Sequence, residues 1–371
     1  MITTDSELKA LCQILNNEPL IGIDTEFDWR TTYFPKLCLV QIATLDDAYI
    51  IDPLSIDSLL PLKPILENDN IIKIFHSPTY DLKLLHQHTG ATINHVFDTQ
   101  LAAEFLGFDH QPSLNDLLSW LIQVTLDKSV KLSNWNQRPL TEKQLNYALE
   151  DVKYLISAFT KLTDKLSASK RLKWFHHEIS NRFDQAFYQP IDTAGAYLKL
   201  KRHKSYKNGQ LEYLKALATW REEMAINLNK PIRRILDDHS IYQIIYNPPA
   251  DLEQLADRFY QLHKKQHQLY GEAILQIIDT TNDQLVNLKN QKPPQIEKSQ
   301  PFDDELFQRI YNYFKNFCEQ HSIISQMIAT RSELKQFVIK PSNPKHKLNQ
   351  SWRYEFIGKK LINQLIMYGD E

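Results

Sequence analysis

The pattern of short apolar runs changes once along this chain, and that change limits the folds open to it. Up to about residue 165, strand-like segments interleave with helical patterns; beyond it the strand signal nearly vanishes. Leu20–Ile23 is an apolar run ending at Asp24. Leu37–Ala43 and Ala48–Ile51 follow, the latter closed by Asp52-Pro53, and Ile71–Phe75 gives a fourth strand. Helices are expected around 79–88, 98–106 and 113–120, with a long one over 141–166. Asp98, after Val96-Phe97, is placed to cap the second of these. Strands interspersed with helices argue for an α/β layer around a mixed sheet.

The rest of the chain reads as all-helical. Gly209 precedes a helix over Leu211–Arg221 with apolar positions 211, 214, 217 and 218, and Pro231 breaks it. Shorter helices are expected near 238–246 and 250–258. Residues 289–301 are polar and proline-rich, a linker composition. A second helical block follows from Phe302, its first helix carrying Leu306, Ile310, Tyr313, Phe314 and Phe317 on one face. The two blocks match in length and in their long opening helix, as diverged copies of one module would. Trp220 and Trp352 fall within helical patterns and are expected in cores.

Composition bounds the function. With 371 residues, roughly 150 per domain gives two or three domains, and 42% hydrophobic residues suffice for real cores. No apolar run reaches the ~18 residues of a membrane helix, and MITTDSELKA lacks the basic and apolar regions of a secretory signal. Cys12, Cys38 and Cys318 fit no zinc or disulfide framework, so a reducing cytoplasm is expected. Only 8 glycines are present and no glycine-rich phosphate loop occurs. The net charge of −2 hides an asymmetry: residues 1–165 hold 13 Lys/Arg against 22 Asp/Glu, residues 166–371 hold 30 against 23. Acids in front could hold metal ions, and cations behind could hold a polyanion; an ordinary solvated surface accounts for the same numbers.

Three segments carry candidate chemistry. In Ile23-Asp24-Thr25-Glu26-Phe27, strand alternation points Asp24 and Glu26 the same way, and two like charges on one face are most simply relieved by an oxygen-bound divalent cation. The second segment runs from a strand through His76 into a helix whose first turn holds Asp81. There Asp81 could instead serve the helix N-terminus, and His76 a local hydrogen bond. In the third, Thr141 and Gln144 make a capping box, which sets Tyr147 and Asp151 one turn apart on one helix face. A phenol beside a carboxylate can hold a water in line for attack, but an amphipathic helix with Tyr147 in the core reads equally well.

The order D-x-E, H-x4-D, Y-x3-D resembles the DEDD exonuclease superfamily, and Tyr four residues before the last Asp resembles its tyrosine subclass; the histidine subclass is rejected because Asn146 stands where its His would be. Thr32-Tyr33, Pro35, Leu37, Leu39 and Gln41 after the first motif, and Lys128-Ser129, Trp135, Arg138-Pro139-Leu140 and Gln144-Leu145 before the third, narrow the resemblance to ribonuclease D. Trp29, in place of a frequent Arg, and Pro78 and Tyr80, in place of small residues, depart from that pattern. The resemblance implies a ribonuclease H-like exonuclease domain over 1–168 and a helical connector over 169–206. It implies a first HRDC domain over 207–290, a linker over 291–301 and a second HRDC-like domain over 302–371.

It also implies a chemistry. Asp24, Glu26, Asp81 and Asp151 would hold two Mg²⁺ or Mn²⁺ ions ~3.5–4 Å apart, with Asp24 bridging both. Glu26 and Asp151 would serve the nucleophile-side ion and Asp81 the other, partly through water. Tyr147 would orient the attacking water, and Thr25, Phe27 and His76 would lie on the substrate side. The implied activity is 3′→5′ hydrolysis releasing 5′-mononucleotides from RNA 3′ ends, especially those of tRNA precursors and other small structured RNAs. Separately, a chain with its own two accessory domains needs no partner to surround an RNA end, so a monomer is expected. A DNA exonuclease of the same fold and a non-catalytic nucleic-acid adaptor are the alternatives. Lys199–Lys207, basic with Tyr197 and Tyr206 interleaved, suits phosphate contact and base stacking, or simply a solvated linker; Lys230, Arg233 and Arg234 form a smaller cluster of the same ambiguity.

Overall fold

The computed structural model describes residues 1–126, 133–207, 209–258, 264–289 and 302–369. Lys128, Ser129 and the 291–301 linker lie outside the described residues. Two compact units emerge. Met1–Glu26, Leu37–Tyr188 and Ser299–Glu371 form one, and Phe27–Lys36 with Gln189–Lys298 the other, taken over the described residues.

The first unit is built on a five-stranded sheet of β1 (Leu20–Asp28), β2 (Lys36–Ala43), β3 (Ala48–Ile51), β4 (Ile72–Phe75) and β5 (Val96–Asp98), in the order β3-β2-β1-β4-β5. It is mixed, as expected: β1 runs parallel to β4 and β4 to β5, while β2 and β3 are antiparallel. Its helices are α1 (Asp5–Leu15), α2 (Lys63–Glu67), α3 (Thr79–Thr89), α4 (Thr99–Phe105), α5 (Leu114–Ile122), α6 (Glu142–Lys153), α7 (Leu155–Ala168) and α8 (Leu172–Arg182). The four expected strands form, and Asp98 caps α4 through the Gln100 amide at 2.9 Å.

Three features depart from the sequence reading. α1, opened by a capping box from Thr4 to Glu7, was not anticipated. Neither was β5, which has three residues and shows no alternation. The long helix expected over 141–166 is two, because Tyr154 leaves helical geometry (φ −102, ψ −1) between α6 and α7. That break lies over β1. A Cβ on Gly22 would sit 3.0 Å from the Leu155 Cβ and 3.3 Å from the Val152 carbonyl oxygen, so only glycine lets the α6–α7 junction come this close.

In the second unit, α9 (Gly209–Asn227), α10 (Ile232–Ile235), α11 (Asp238–Tyr246), α12 (Leu252–Arg258) and α13 (Lys264–Lys289) enclose one core. Leu214, Leu217 and Ala218 of α9 meet Ile241, Ile244 and Ile245 of α11 and Ile274 of α13 there, with Trp220 packed half-buried against them. The remaining helices, α14 (Asp304–Gln320), α15 (Ser325–Ile328), α16 (Arg331–Ile339), α17 (Ser351–Arg353) and α18 (Lys359–Gly369), belong to the first unit. The stripe that α14 buries is Phe307, Ile310, Phe314 and Cys318; Leu306, Tyr313 and Phe317, expected with Ile310 and Phe314, flank it half-buried. Trp352 is buried, stacked on Trp174 with ring centroids 5.0 Å apart.

Candidate active site

Gly22, Asp24 and Glu26 alternate onto one face of β1, the face that Gly22 opens to the α6–α7 junction. α6 starts at the expected capping box, with the Thr141 hydroxyl accepting from the Gln144 amide and Gln144 Oε1 from the Thr141 amide at 3.0 Å. Asp151, one residue before Val152, therefore reaches the strand carboxylates. Asp24, Glu26 and Asp151 each offer an oxygen within 4.8 Å of the others, all three partly accessible.

Three carboxylates this close repel. Burial, and then the charges of Asp81, Asp151 and Glu26, push the Asp24 carboxyl well above the ordinary range. An all-oxygen, half-buried cluster with raised proton affinity is what a hard divalent cation relieves. The residues present therefore fit the metal implied by the sequence.

Asp81 stands beside this trio rather than within it. It is buried on the first turn of α3 and accepts a hydrogen bond from the Thr25 hydroxyl. Burial pushes its carboxyl up to about 6, with the Thr25 bond pulling the other way. Thr25, expected on the substrate side, is itself buried and spends its hydroxyl on Asp81.

Tyr147 lies one turn before Asp151, and the two side chains are hydrogen-bonded. Burial, then the charges of Asp151, Glu26 and Asp24, push the phenol far above its usual range, so it stays protonated. Its ring packs 6.0 Å from that of buried Trp135.

Asp24, Glu26, His76, Tyr147 and Asp151 line one cleft of about 470 Å³. His76 Nε2 lies 3.0 Å from the Pro112 carbonyl oxygen and Nδ1 2.9 Å from the Thr99 hydroxyl. Burial holds the imidazole below its usual range, and Nε2 is the donor to Pro112, because a carbonyl oxygen can only accept. Both nitrogens are thus used within the protein, and His76 can offer substrate only its ring edge. Phe27 follows Glu26 on β1 but belongs to the second unit, where its ring meets Trp29 edge-on at 6.1 Å.

The sequence reading missed Gln100, Gln111 and Ser113, which line the same cleft. Ser113 had a signal, since it caps α5 through the Asp116 amide. Gln111 had none: it sits at φ 52 in the left-handed region. Asp98 was read as a helix cap only, yet it also accepts from the Ser77 amide at 3.0 Å and so fixes the turn between His76 and α3.

Comparison with known proteins agrees with this geometry. Residues 1–167 match a 3′-5′ exonuclease family, and residues 210–278 match the HRDC domain. A ribonuclease D from Desulfotalea psychrophila is 34% identical over 364 residues, spanning 96% of each chain. One from Gluconacetobacter diazotrophicus is 30% identical over 98% of this chain and 91% of its own. The chain belongs to the ribonuclease D family.

The crystal structure of Escherichia coli RNase D, an exoribonuclease involved in structured RNA processing, superimposes with a TM-score of 0.85 at 28% identity, over 99% of this chain and 98% of that one. The catalytic core of RRP6 from Trypanosoma brucei shares the fold, with a TM-score of 0.60 at 22% identity over 76% of this chain and 79% of that one. The ribonuclease D family accounts for the α/β exonuclease layer, the HRDC domain and an acidic cluster suited to divalent metal. It does not assign the individual side chains, whose roles rest on the geometry above.

Proposed function

We propose that this protein is a 3′→5′ exoribonuclease of the tyrosine subclass that trims tRNA precursors and other small structured RNAs one 5′-mononucleotide at a time. The observation that carries the proposal is the meeting of Asp24, Glu26 and Asp151 with Tyr147 in one cleft of a chain that aligns end to end with ribonuclease D. Asp24, Glu26 and Asp151 would hold divalent metal, with Asp81 steadied by Thr25 as the fourth acid. Mg²⁺ and Mn²⁺ both suit such oxygen donors. Bound there, the cations would supply positive charge at the scissile phosphate and acidify an attacking water. Tyr147, kept protonated and bonded to Asp151, would turn that water toward phosphorus. Asp98 would hold the strand-end turn, and His76 would brace the wall of the cleft through Pro112.

A second, diverged HRDC-like module over 302–371 also fits. The end of α9 at Asn227 matches the end of α14 at Gln320. The left-handed residues Asn229 and Ser322 correspond, as do Ile232–Ile235 with Ser325–Ile328 and Asp238–Tyr246 with Arg331–Ile339. Every pair is displaced by the same 93 positions, which supports an internal repeat. The boundaries 1–168, 169–206, 207–290 and 302–371 remain our division of the chain, although α8, inside the connector, packs Phe175 on Phe97 in the nuclease core. The three free thiols suit a reducing cytoplasm, and a chain carrying its own accessory modules suits a monomer. No described helix is long and apolar enough to cross a membrane.

The test is mononucleotide release from a 3′-extended tRNA and from matched single-stranded DNA, with Mg²⁺, Mn²⁺ or EDTA. Wild type should trim the RNA only with metal, and Asp151→Asn should lose ~10³-fold or more in rate. Unimpaired turnover by the variant would sink the assignment, and a preference for DNA would move the protein to the DNA exonucleases.

A further inference from the structure

The second unit holds a cleft of about 410 Å³, lined by Arg202, Tyr206, Tyr242, Gln243, Tyr246 and Asn247 among others. Its planar groups lie close together. The Tyr206 and Tyr242 rings are 6.1 Å apart and 30° from parallel, and the Arg202 guanidinium sits 5.1 Å from the Tyr242 centroid. Tyr246 is 83% exposed, its ring open to solvent beside these groups rather than held in the core. Gln243 presents the opposite problem: its Oε1 is buried with no hydrogen-bond partner among the described residues. A buried acceptor left unpaired is costly and calls for a donor. Five cations (Lys199, Lys201, Arg202, Lys204 and Lys207) and no carboxylate occur between Thr193 and Leu211. Lys199 pairs with Glu222 at 2.8 Å, and the other four are exposed.

The helical fold itself does not demand these side chains. The 93-residue repeat sets Lys335, Gln336 and Ile339 of α16, and Lys340 just after it, against Tyr242, Gln243 and Tyr246 of α11 and Asn247 just after it. The second copy forms the same nine-residue helix without either tyrosine. Among the described residues, the two tyrosines of this helix belong to the copy matched as an HRDC domain.

We infer that this cleft is a stacking site for a base of single-stranded RNA, an inference resting on the exoribonuclease reading above. Aromatic rings and an arginine plane stack on any base. Ring faces stack on all four bases alike, so the site would tolerate sequence. The flanking cations would meet the phosphates. A cleft of this volume falls within the roughly 300–1,000 Å³ typical of small-ligand sites, and its mixture of rings, amides and cations suits a nucleotide better than an apolar helix or an acidic peptide.

The experiment uses the full-length protein in EDTA, where no metal supports turnover. Fluorescence anisotropy compares a 12-nucleotide oligo(A) RNA with a matched ribose-phosphate chain lacking bases. Tyr246→Ala should weaken oligo(A) binding about 5- to 100-fold, leave the abasic chain unaffected, and leave metal-dependent hydrolysis of a dinucleotide unchanged. Tyr246→Phe should bind like wild type, which a fold defect at this position would not allow. Unchanged oligo(A) affinity in Tyr246→Ala, equal losses on both chains, or no binding of oligo(A) by wild type would each overturn the inference. Failure of wild type to hydrolyse any RNA with metal, alongside an intact Tyr246 effect, would instead remove the exoribonuclease reading and leave the cleft in place.

Discussion

Asp24 holds the main conflict of the site: its charge is wanted for a cation and unwelcome without one. Burial and three neighbouring carboxylates raise its proton affinity, and burial raises Asp81 to about 6. A carboxyl whose folded pKa exceeds its unfolded value binds more protons in the folded state, so stability falls as pH rises through that range. The metal-free protein should therefore melt at a higher temperature at pH 5 than at pH 7, and excess Mn²⁺ at pH 7 should reverse the loss. Asp24→Asn should raise the melting temperature in EDTA at pH 7 by ~2–8 °C and abolish the stabilisation by Mn²⁺. It should also lower hydrolysis by ~10³-fold or more. A melting temperature that stays flat between pH 5 and 7 would show that the acids do not repel as argued. The pairing of Asp24 with Glu26 was legible because strands alternate, and that of Tyr147 with Asp151 because helices repeat. The attachment of Asp81 to Thr25 was not, since it joins residues 56 apart in sequence.

Elements carry these side chains into register, and the loop before α6 shows how. Arg138 donates from Nε and Nη2 to both oxygens of buried Asp52 at 2.7 Å each. Its remaining bonds go to the carbonyl oxygens of Cys38, Trp135 and Gln137. Burial alone would raise the Asp52 carboxyl, but Arg138, the Leu54 amide and the Ser55 hydroxyl together hold it below the usual carboxylate range. One guanidinium thus ties the loop to the start of β2 and the end of β3, and seats Trp135 against Tyr147. Arg138→Lys cannot reproduce the planar fork. It should cost about 2–4 kcal/mol of stability in chemical denaturation, and lower kcat ~10-fold with little change in KM, because Tyr147 shifts while Asp24, Glu26 and Asp151 stay. An unchanged kcat in a destabilised variant would make the loop purely structural. Pattern reading found most of the strongly periodic elements but overlooked α1, whose capping box and Leu8-Leu11-Leu15 stripe were legible. It missed β5, too short to alternate, and ran α6 into α7 because the break at Tyr154 leaves no proline or glycine in the sequence.

At the scale of the whole molecule, the sequence treats its two helical blocks alike, while the structure gives them different settings. Helices α9–α13 enclose a core of their own, whereas α14–α18 share theirs with the nuclease. Trp352 stacks on Trp174 and lies 5.3 Å from Phe105. Arg353 bonds Glu178 at 2.6 Å, and Arg171 donates to the carbonyl oxygens of Phe105, His321 and Ser322. None of these contacts is written in local pattern, because each joins segments far apart in sequence. Gly107 lies on this seam, against Ser322. It sits at φ +76, and a Cβ there would lie 2.3 Å from the Ser322 carbonyl oxygen, so alanine meets both a strained backbone and a backbone clash. Gly107→Ala should therefore loosen 302–369 from the nuclease core at a cost of ~2–4 kcal/mol. Hydrogen exchange should quicken in α14–α18 and in α8, while α9 and α11, held by a separate core, keep their protection. Protection lost equally in both helical blocks would mean that they fold as one cooperative unit. Protection lost in neither would mean that the 107–322 contact yields without cost.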